Sequence, residues 1–488
     1  MSDLKEIFNL NTIYKVRLRR KSKMLTYNFE KIGSDSIYEY LYKCIKNDII
    51  QGKIKQDDKL PSKRSFAKNL GISVITVESA YEQLMAEGYI YSIPKKGFYV
   101  SEIPARVVVN ENTVARKSSR KGNKKLKYVA DFGSNQMESD AFPFTIWAKT
   151  VREVLNDKKD ELMINPPIGG CMELREAIAV YLEEFRGMTV SPEQIFIGAG
   201  TEYLYSLIIQ LMGNRYTYGV ENPGHVKVGK IYESMNVPVK YIGMDKKGVI
   251  VEELENSKVD IMHICPSHHF PTGTVMPISR RYEMLGWASQ KNERYIIEDD
   301  YDSELRLSGK PIPTLQSIDV SEKVIYMNTF TKTLSSTVRV SYMVLPMKLA
   351  KRFYKKLYFY SGTVSNFDQY TLARFMETRS FEKHINRLRN YYQKKRDIII
   401  DKFENGPLKN KVRIEEEEAG IHFLMTILSK KTESEIVEKC ACKGIRMLPL
   451  STYYNGDSYK GQNIYVMNYS SIDVKKLDEV VGILDEII

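Results

Sequence analysis

Residues 328–346 read NTFTKTLSSTVRVSYMVLP. Lys332 stands among small hydroxyl residues, Arg339 follows seven positions later, and apolar runs lie on either side. The stretch before it, KVIYMNTF, is a buried-strand pattern that ends in polar residues. Similar strands precede it in the chain: QIFIGAG, YTYGVENPGH, VDIMHICPS and RYIIEDDYD. Helical patterns such as ELREAIAVYLEEF and EYLYSLIIQLMG lie between strands. Strands that alternate with helices predict an α/β domain with a mainly parallel sheet, and ligands gather at the carboxyl ends of such strands.

Those ends carry a consistent set of groups. GAGTEY places Gly200 and Thr201 at a helix N-terminus, an anion-binding feature. EDDYD supplies Asp299 and Tyr301, and NTFTK supplies Thr329, Thr331 and Lys332. An anion cradle, a carboxylate, a phenol, a lysine and an arginine together suit pyridoxal 5′-phosphate. The lysine forms a Schiff base with the aldehyde, and the carboxylate keeps the pyridine nitrogen protonated. Hydroxyls, backbone amides and the arginine hold the phosphate.

The chain has 488 residues, enough for two or three domains, and a net charge of +12. Residues 1–128 hold 26 Lys and Arg against 13 Asp and Glu, so all of the basic excess lies there. This asymmetry points to a nucleic-acid-facing segment joined to a near-neutral body. The five cysteines include no CxxC pair, which argues against a zinc site or a disulfide framework. No stretch has the length of a membrane span or the core of a signal peptide, so the expected location is the cytoplasm.

Within the basic quarter, residues 1–33 read as a basic N-terminal extension with little periodicity. From Ser36 a helical pattern begins. LPSKRSFAKNLG follows, with Ser62 as N-cap and Gly71 as stop. ISVITVESAYEQLMAEG gives a third helix capped by Ser73. YIYSIPKKGFYVS is a two-stranded wing. This is a winged helix-turn-helix over residues 34–103, whose third helix would enter the major groove of double-stranded DNA. Lys95 and Lys96 of the wing would meet phosphates. Residues 104–129 read as a flexible basic linker.

The segment KLPSKRSFAKNLGISVITVESAYEQLMAEGYIYSIPKKGFYVS resembles the GntR family of bacterial regulators. That resemblance implies operator DNA as partner, with Ser62, Lys63, Arg64, Ser73, Thr76 and Gly97 joining the wing lysines at the interface. Val74 stands where the family usually has arginine, which removes a bidentate guanine contact.

Residues 130–488 resemble the fold-type I aminotransferases, and more closely the effector domain of MocR-type regulators. The matching stretches include INPPIGGCMELREAIAVYL, VENPGH, CPSHHFPTGTVMP, IIEDDYDSELR, TFTKTLSSTVRVSYMVLP, AGIHF and GIRMLPLSTYY. The resemblance implies Lys332 as the Schiff-base lysine, Asp299 at the pyridine nitrogen and Tyr301 at the phenolic oxygen. Arg339, Thr329, Thr201 and Gly200 would surround the phosphate, and His225 would stack on the ring. Lys227 and His268 are candidate effector contacts. Phe270 replaces an asparagine usual in the enzymes, and Val466 stands where they place a carboxylate-binding arginine. The implied protein is a homodimeric transcription regulator that senses the cofactor, or an amine or amino acid with it. The alternatives are a true aminotransferase with an appended DNA-binding domain, and a silent cofactor domain that only dimerises.

Overall fold

The computed structural model describes residues 25–29, 32, 35–102, 128–134, 136–307, 312–416, 420–456, 459 and 463–488. The chain forms two compact units, residues 1–124 and 125–488. Nearly all of the basic linker expected over 104–129 lies outside the described residues.

In the first unit, α1 (Ile37–Ile50), α2 (Lys63–Leu70) and α3 (Val74–Ala86) precede a hairpin of β1 (Ile90–Ile93) and β2 (Gly97–Val100). Each boundary has a local cause. The Ser62 hydroxyl accepts from the Ser65 amide and the Ser73 hydroxyl from the Thr76 amide, which satisfies amides otherwise left open at the helix starts. Gly71 ends α2 with φ +67°. Leu41, Ile45, Phe66, Val77, Tyr81 and Leu84 form the core. The wing turn is closed by Lys96 N donating to Ile93 O, with Pro94 next and Lys95 at φ +61°. Proline followed by positive φ is the type II pattern.

One boundary differs from the sequence expectation. Residues 25–29, placed in the basic N-terminal extension by the sequence, belong with the winged helix. Leu25, Tyr27 and Phe29 pack on the winged-helix core. The Tyr27 hydroxyl donates to Asp48 at 2.9 Å, and its ring meets Phe66 edge-on. Alternating apolar residues over so short a span, flanked by lysines, give little periodic signal.

The second unit is built on an eight-stranded sheet. Its strands are β4 (Ile195–Gly198), β5 (Tyr218–Asn222), β6 (Val239–Asp245), β7 (Gly248–Val249), β8 (Ile261–Ile264), β9 (Tyr295–Asp299), β10 (Val324–Thr329) and β11 (Ser341–Val344). Their order is β4-β11-β10-β9-β8-β5-β6-β7. From β10 through β6 every neighbouring pair is parallel. Only β11 and the edge strand β7 run against the rest. Strands β4, β8, β9, β10 and β11 are buried at every residue, as expected of a sheet covered on both faces.

A smaller antiparallel sheet completes the unit: β12 (Val412–Glu415), β13 (His422–Ile427), β16 (Ile464–Asn468) and β15 (Leu448–Pro449), in that order. Ala130 and Phe132 share its core, and β3 (Ala130–Asp131) pairs with β14 (Ile445–Arg446). The start of the unit is thereby fastened to its end. No helix among the described residues is long and apolar enough to cross a membrane.

Candidate functional site

The ends of β4, β8, β9 and β10 converge on a cavity of about 220 Å³. Lys332, three residues beyond β10, projects into its wall and is partly buried. Its ammonium has neither an ion pair nor a hydrogen bond among the described residues. Burial pushes it down to about 8, against the opposing charge of Asp302. An amine held near its neutral form is a competent nucleophile.

Asp299 ends β9 at the cavity. Its Oδ2 accepts from the Tyr205 hydroxyl at 2.9 Å and lies 3.4 Å from His263 Nε2. His263 is held in turn by the Tyr232 hydroxyl, 2.8 Å from Nδ1. Oδ1 is buried and has no hydrogen-bond partner among the described residues. A buried carboxylate oxygen without a donor is costly, so this atom is suited to a cationic N–H entering the cavity.

The opposite wall is built for an anion. Helix Thr201–Met212 begins at Gly200 with no side-chain cap, leaving its first amides open. Arg339 comes across from the β10–β11 connection with φ +53°, a conformation unusual outside glycine, and its Nη2 donates to Ala199 O at 3.3 Å. Gly200 makes the approach possible, since a β-carbon there would lie 2.6 Å from Arg339 Nη2. Thr331 lies in the same wall. The Thr329 hydroxyl donates to Thr331 Oγ1 and accepts from the Ser341 hydroxyl, both at 2.8 Å. Thr329 thus orients Thr331 and leaves the latter's hydrogen available.

Tyr301 and His225 also line the cavity. The Tyr301 hydroxyl lies 3.3 Å from His268 Nδ1, and burial keeps the phenol protonated. His225 caps helix Val226–Ser234, accepting from the Lys227 amide at 3.3 Å, and burial favours its neutral ring. The two effector candidates fare differently. Lys227 lines the cavity but is ion-paired with Glu202. His268 is not in the cavity wall. It is buried behind Tyr301, 2.7 Å from Asp302 Oδ2.

On the winged helix, Arg64, Ser73, Lys95 and Lys96 are exposed and Thr76 is half-buried. Lys63 is ion-paired with Glu78 at 2.6 Å and lies over the Phe98 ring, so its ammonium is already engaged. Val74 and Ile75 expose apolar side chains at the start of α3, where a DNA-reading helix meets base edges.

Residues 127–481 match the model of aminotransferase classes I and II, and residues 37–100 match that of the bacterial regulatory proteins of the GntR family. The HTH-type transcriptional regulator YdeL of Bacillus subtilis, described as uncharacterized, is 36% identical over 86% of this chain and 90% of its own length. The probable rhizopine catabolism regulatory protein MocR of Rhizobium meliloti is 28% identical over 92% of this chain and 93% of its own. This chain belongs to the MocR-type subfamily of GntR regulators. Among solved structures, an archaeal alanine:glyoxylate aminotransferase superposes with TM-score 0.66 at 22% identity, covering 75% of this chain and 91% of that one. At that identity it shows the fold. The protein is therefore a DNA-binding transcription regulator with an aminotransferase-like domain, and the enzyme reading is not favoured.

In this MocR-type regulator, several groups around the cavity escaped the motif reading. Tyr205 and His263 fix Asp299 from behind, Glu202 engages Lys227, and His422 closes the wall beside Phe270. A histidine inside the buried run VDIMHICPS was the one visible hint. Val466 is buried in β16 between Leu424 and Leu448, and Lys227, Lys332 and Arg339 are the cations lining the cavity.

Proposed function

We propose that this regulator holds pyridoxal 5′-phosphate at Lys332 and responds to the cofactor, or to an amine that meets it there, without sustaining amino transfer. The observation that carries the reading is Asp299, clamped through Oδ2 and unpartnered at Oδ1 in the same cavity as an unpaired lysine. When bound, the cofactor supplies an aldehyde for amines and a ring that withdraws electrons. Asp299 would hold a proton on the ring nitrogen, and Tyr205 and His263 would keep that carboxylate in place. Tyr301 would donate to the phenolic oxygen and His225 would cover the ring. Gly200, Thr201, Thr331 and Arg339 would bind the phosphate, with Thr329 positioning Thr331.

The cations of the cavity argue against efficient catalysis on amino acids. Arg339 belongs to the anion wall, Lys332 to the aldehyde, and Lys227 is paired with Glu202. None is left to clamp an α-carboxylate, and orientation is a large share of such catalysis. The response is a shift between two arrangements of the second unit, driven by whichever one the ligand binds more tightly. Two copies joined as a homodimer would place two winged helices on paired half-sites. In each, Ser62, Arg64, Ser73, Thr76, Lys95, Lys96 and Gly97 would face DNA.

The test is an absorbance spectrum of the purified protein titrated with pyridoxal 5′-phosphate. A visible band present in the wild type and absent from Lys332→Ala is expected, together with no sustained turnover of an amino acid and keto acid pair. Identical spectra for the two proteins would remove Lys332 from the site. Sustained turnover would restore the enzyme reading.

A further inference from the structure

A second cavity of about 250 Å³ adjoins the first, and the two share His225, Val228, Cys265 and Phe270 in their walls. None of the groups assigned to the cofactor except His225 and the clamp residue His263 lines it. Its floor is Glu221, near the end of β5 and only 7% exposed. Glu221 Oε2 accepts from the Cys265 amide at 3.0 Å, while Oε1 accepts no hydrogen bond from the described residues. His269 Nε2 is 3.4 Å from Oε2, and burial holds that imidazole neutral at about 3. Glu221 is thus a buried carboxyl group without a cationic partner, and burial pushes it up to about 8.

Four aromatic rings stand in the same wall. Phe270, Tyr453, Tyr454 and Tyr241 surround the opening, and Phe270 meets Tyr453 edge-on at 5.2 Å. Glu233 adds a second carboxylate, which accepts from the Tyr241 hydroxyl at 2.9 Å. Lys230 is the one lysine in this wall and is exposed. The loop carrying Tyr453 is stapled to the end of β5. Gly224 N donates to Tyr453 O at 3.1 Å, and Asn222 and Asn455 exchange side-chain and backbone hydrogen bonds at 3.1 and 2.9 Å.

Glu221 is therefore mostly neutral at pH 7 while the cavity is empty, and an ammonium entering beside it would favour its ionised form. Aromatic faces around such a carboxyl make a receptor for an organic cation. We infer that this second cavity takes the distal ammonium of the effector, which is an aliphatic diamine whose other amine reaches the Lys332 cavity. The inference rests on the cofactor reading given above. It also connects recognition to movement. Such a ligand would touch Glu221 on the large sheet and Tyr453 on the segment leading into the small one, and so would favour the arrangement in which the Asn222–Asn455 staple is closed.

The test uses the full-length protein loaded with pyridoxal 5′-phosphate and calorimetric titration with cadaverine, pentylamine and δ-aminovalerate. Cadaverine should bind at least about tenfold more tightly than either of the others, the scale of one charge-assisted contact. Glu221→Gln should erase that preference. Because Glu221 is buried, Tyr453 gives an independent arm: Tyr453→Phe should keep the preference and Tyr453→Leu should lose most of it. Equal affinities, tighter binding of aminovalerate through Lys230, or a preference that survives both Glu221→Gln and Tyr453→Leu would overturn the inference while leaving the cofactor in place. A wild-type protein that shows no visible band with the cofactor would overturn both readings together.

Discussion

Gly200 and Arg339 share one volume of space. A β-carbon on Gly200 would lie 2.6 Å from Arg339 Nη2 and 2.9 Å from its Cζ, well inside contact distance. The glycine also has φ +94° with an extended ψ, a region open to essentially no other residue. Gly200→Ala should therefore displace Arg339 and distort the helix start at once. We expect cofactor affinity to fall at least about tenfold, in line with strain of about 1–3 kcal/mol. Fluorescence titration with pyridoxal 5′-phosphate measures it, and far-ultraviolet dichroism should show the fold retained.

Lys332 gives a pH prediction. Its ordinary value of 10.5 falls to about 8 because burial disfavours the charged form. The neutral amine is the species that attacks an aldehyde. Below about pH 8 the neutral fraction, and with it the rate of cofactor uptake, should drop tenfold per pH unit. Above pH 8 the rate should level off. A stopped-flow profile still climbing toward pH 10 would mean an unperturbed lysine.

On the DNA side, Lys95 and Lys96 project from the wing turn and are exposed. Replacing both with Ala should weaken binding to all sequences alike and reduce the slope of log affinity against log salt by about 2. Anisotropy titrations at several salt concentrations on an operator fragment and on random DNA provide the check. An unchanged slope would place the wing away from phosphate.

Ser73 tests whether the reading helix is held by its cap. Its hydroxyl accepts from the Thr76 amide at 3.0 Å and lies 2.8 Å from the Thr76 hydroxyl. Ser73→Ala should cost about 1 kcal/mol and lower the melting temperature of the first unit by a few degrees. A melt unchanged by the substitution would mean that Ser73 contributes through DNA alone.

Much of the architecture was legible because its causes are local. Ser62, Ser73 and Gly71 mark helix ends through contacts within three or four residues, and the periodicity of α3 names its buried face. Strand ends rich in Gly, Asp, Thr and Lys pointed to one edge of a parallel sheet, and Gly200, Asp299, Tyr301, Lys332 and Arg339 do meet there. The unread parts depend on distant partners. Tyr205 reaches Asp299 across 94 positions and Tyr232 reaches His263 across 31, so neither has a signature in spacing. The place of β4 at the sheet edge depends on its pairing with β11, which is far away in the chain. His268 resembled a ligand by its neighbours in sequence, whereas the packing of Asp302 turns it inward.

The aromatic pair Tyr27 and Phe29 has a practical consequence for work on the DNA reader alone. Tyr27 bonds to α1 through Asp48 and covers Phe66 of α2, and Phe29 packs on Tyr40. A fragment trimmed to the motif boundary at residue 34 would lose two half-buried rings and wet the helix faces that they cover. A reader fragment that keeps these rings in place starts no later than Leu25.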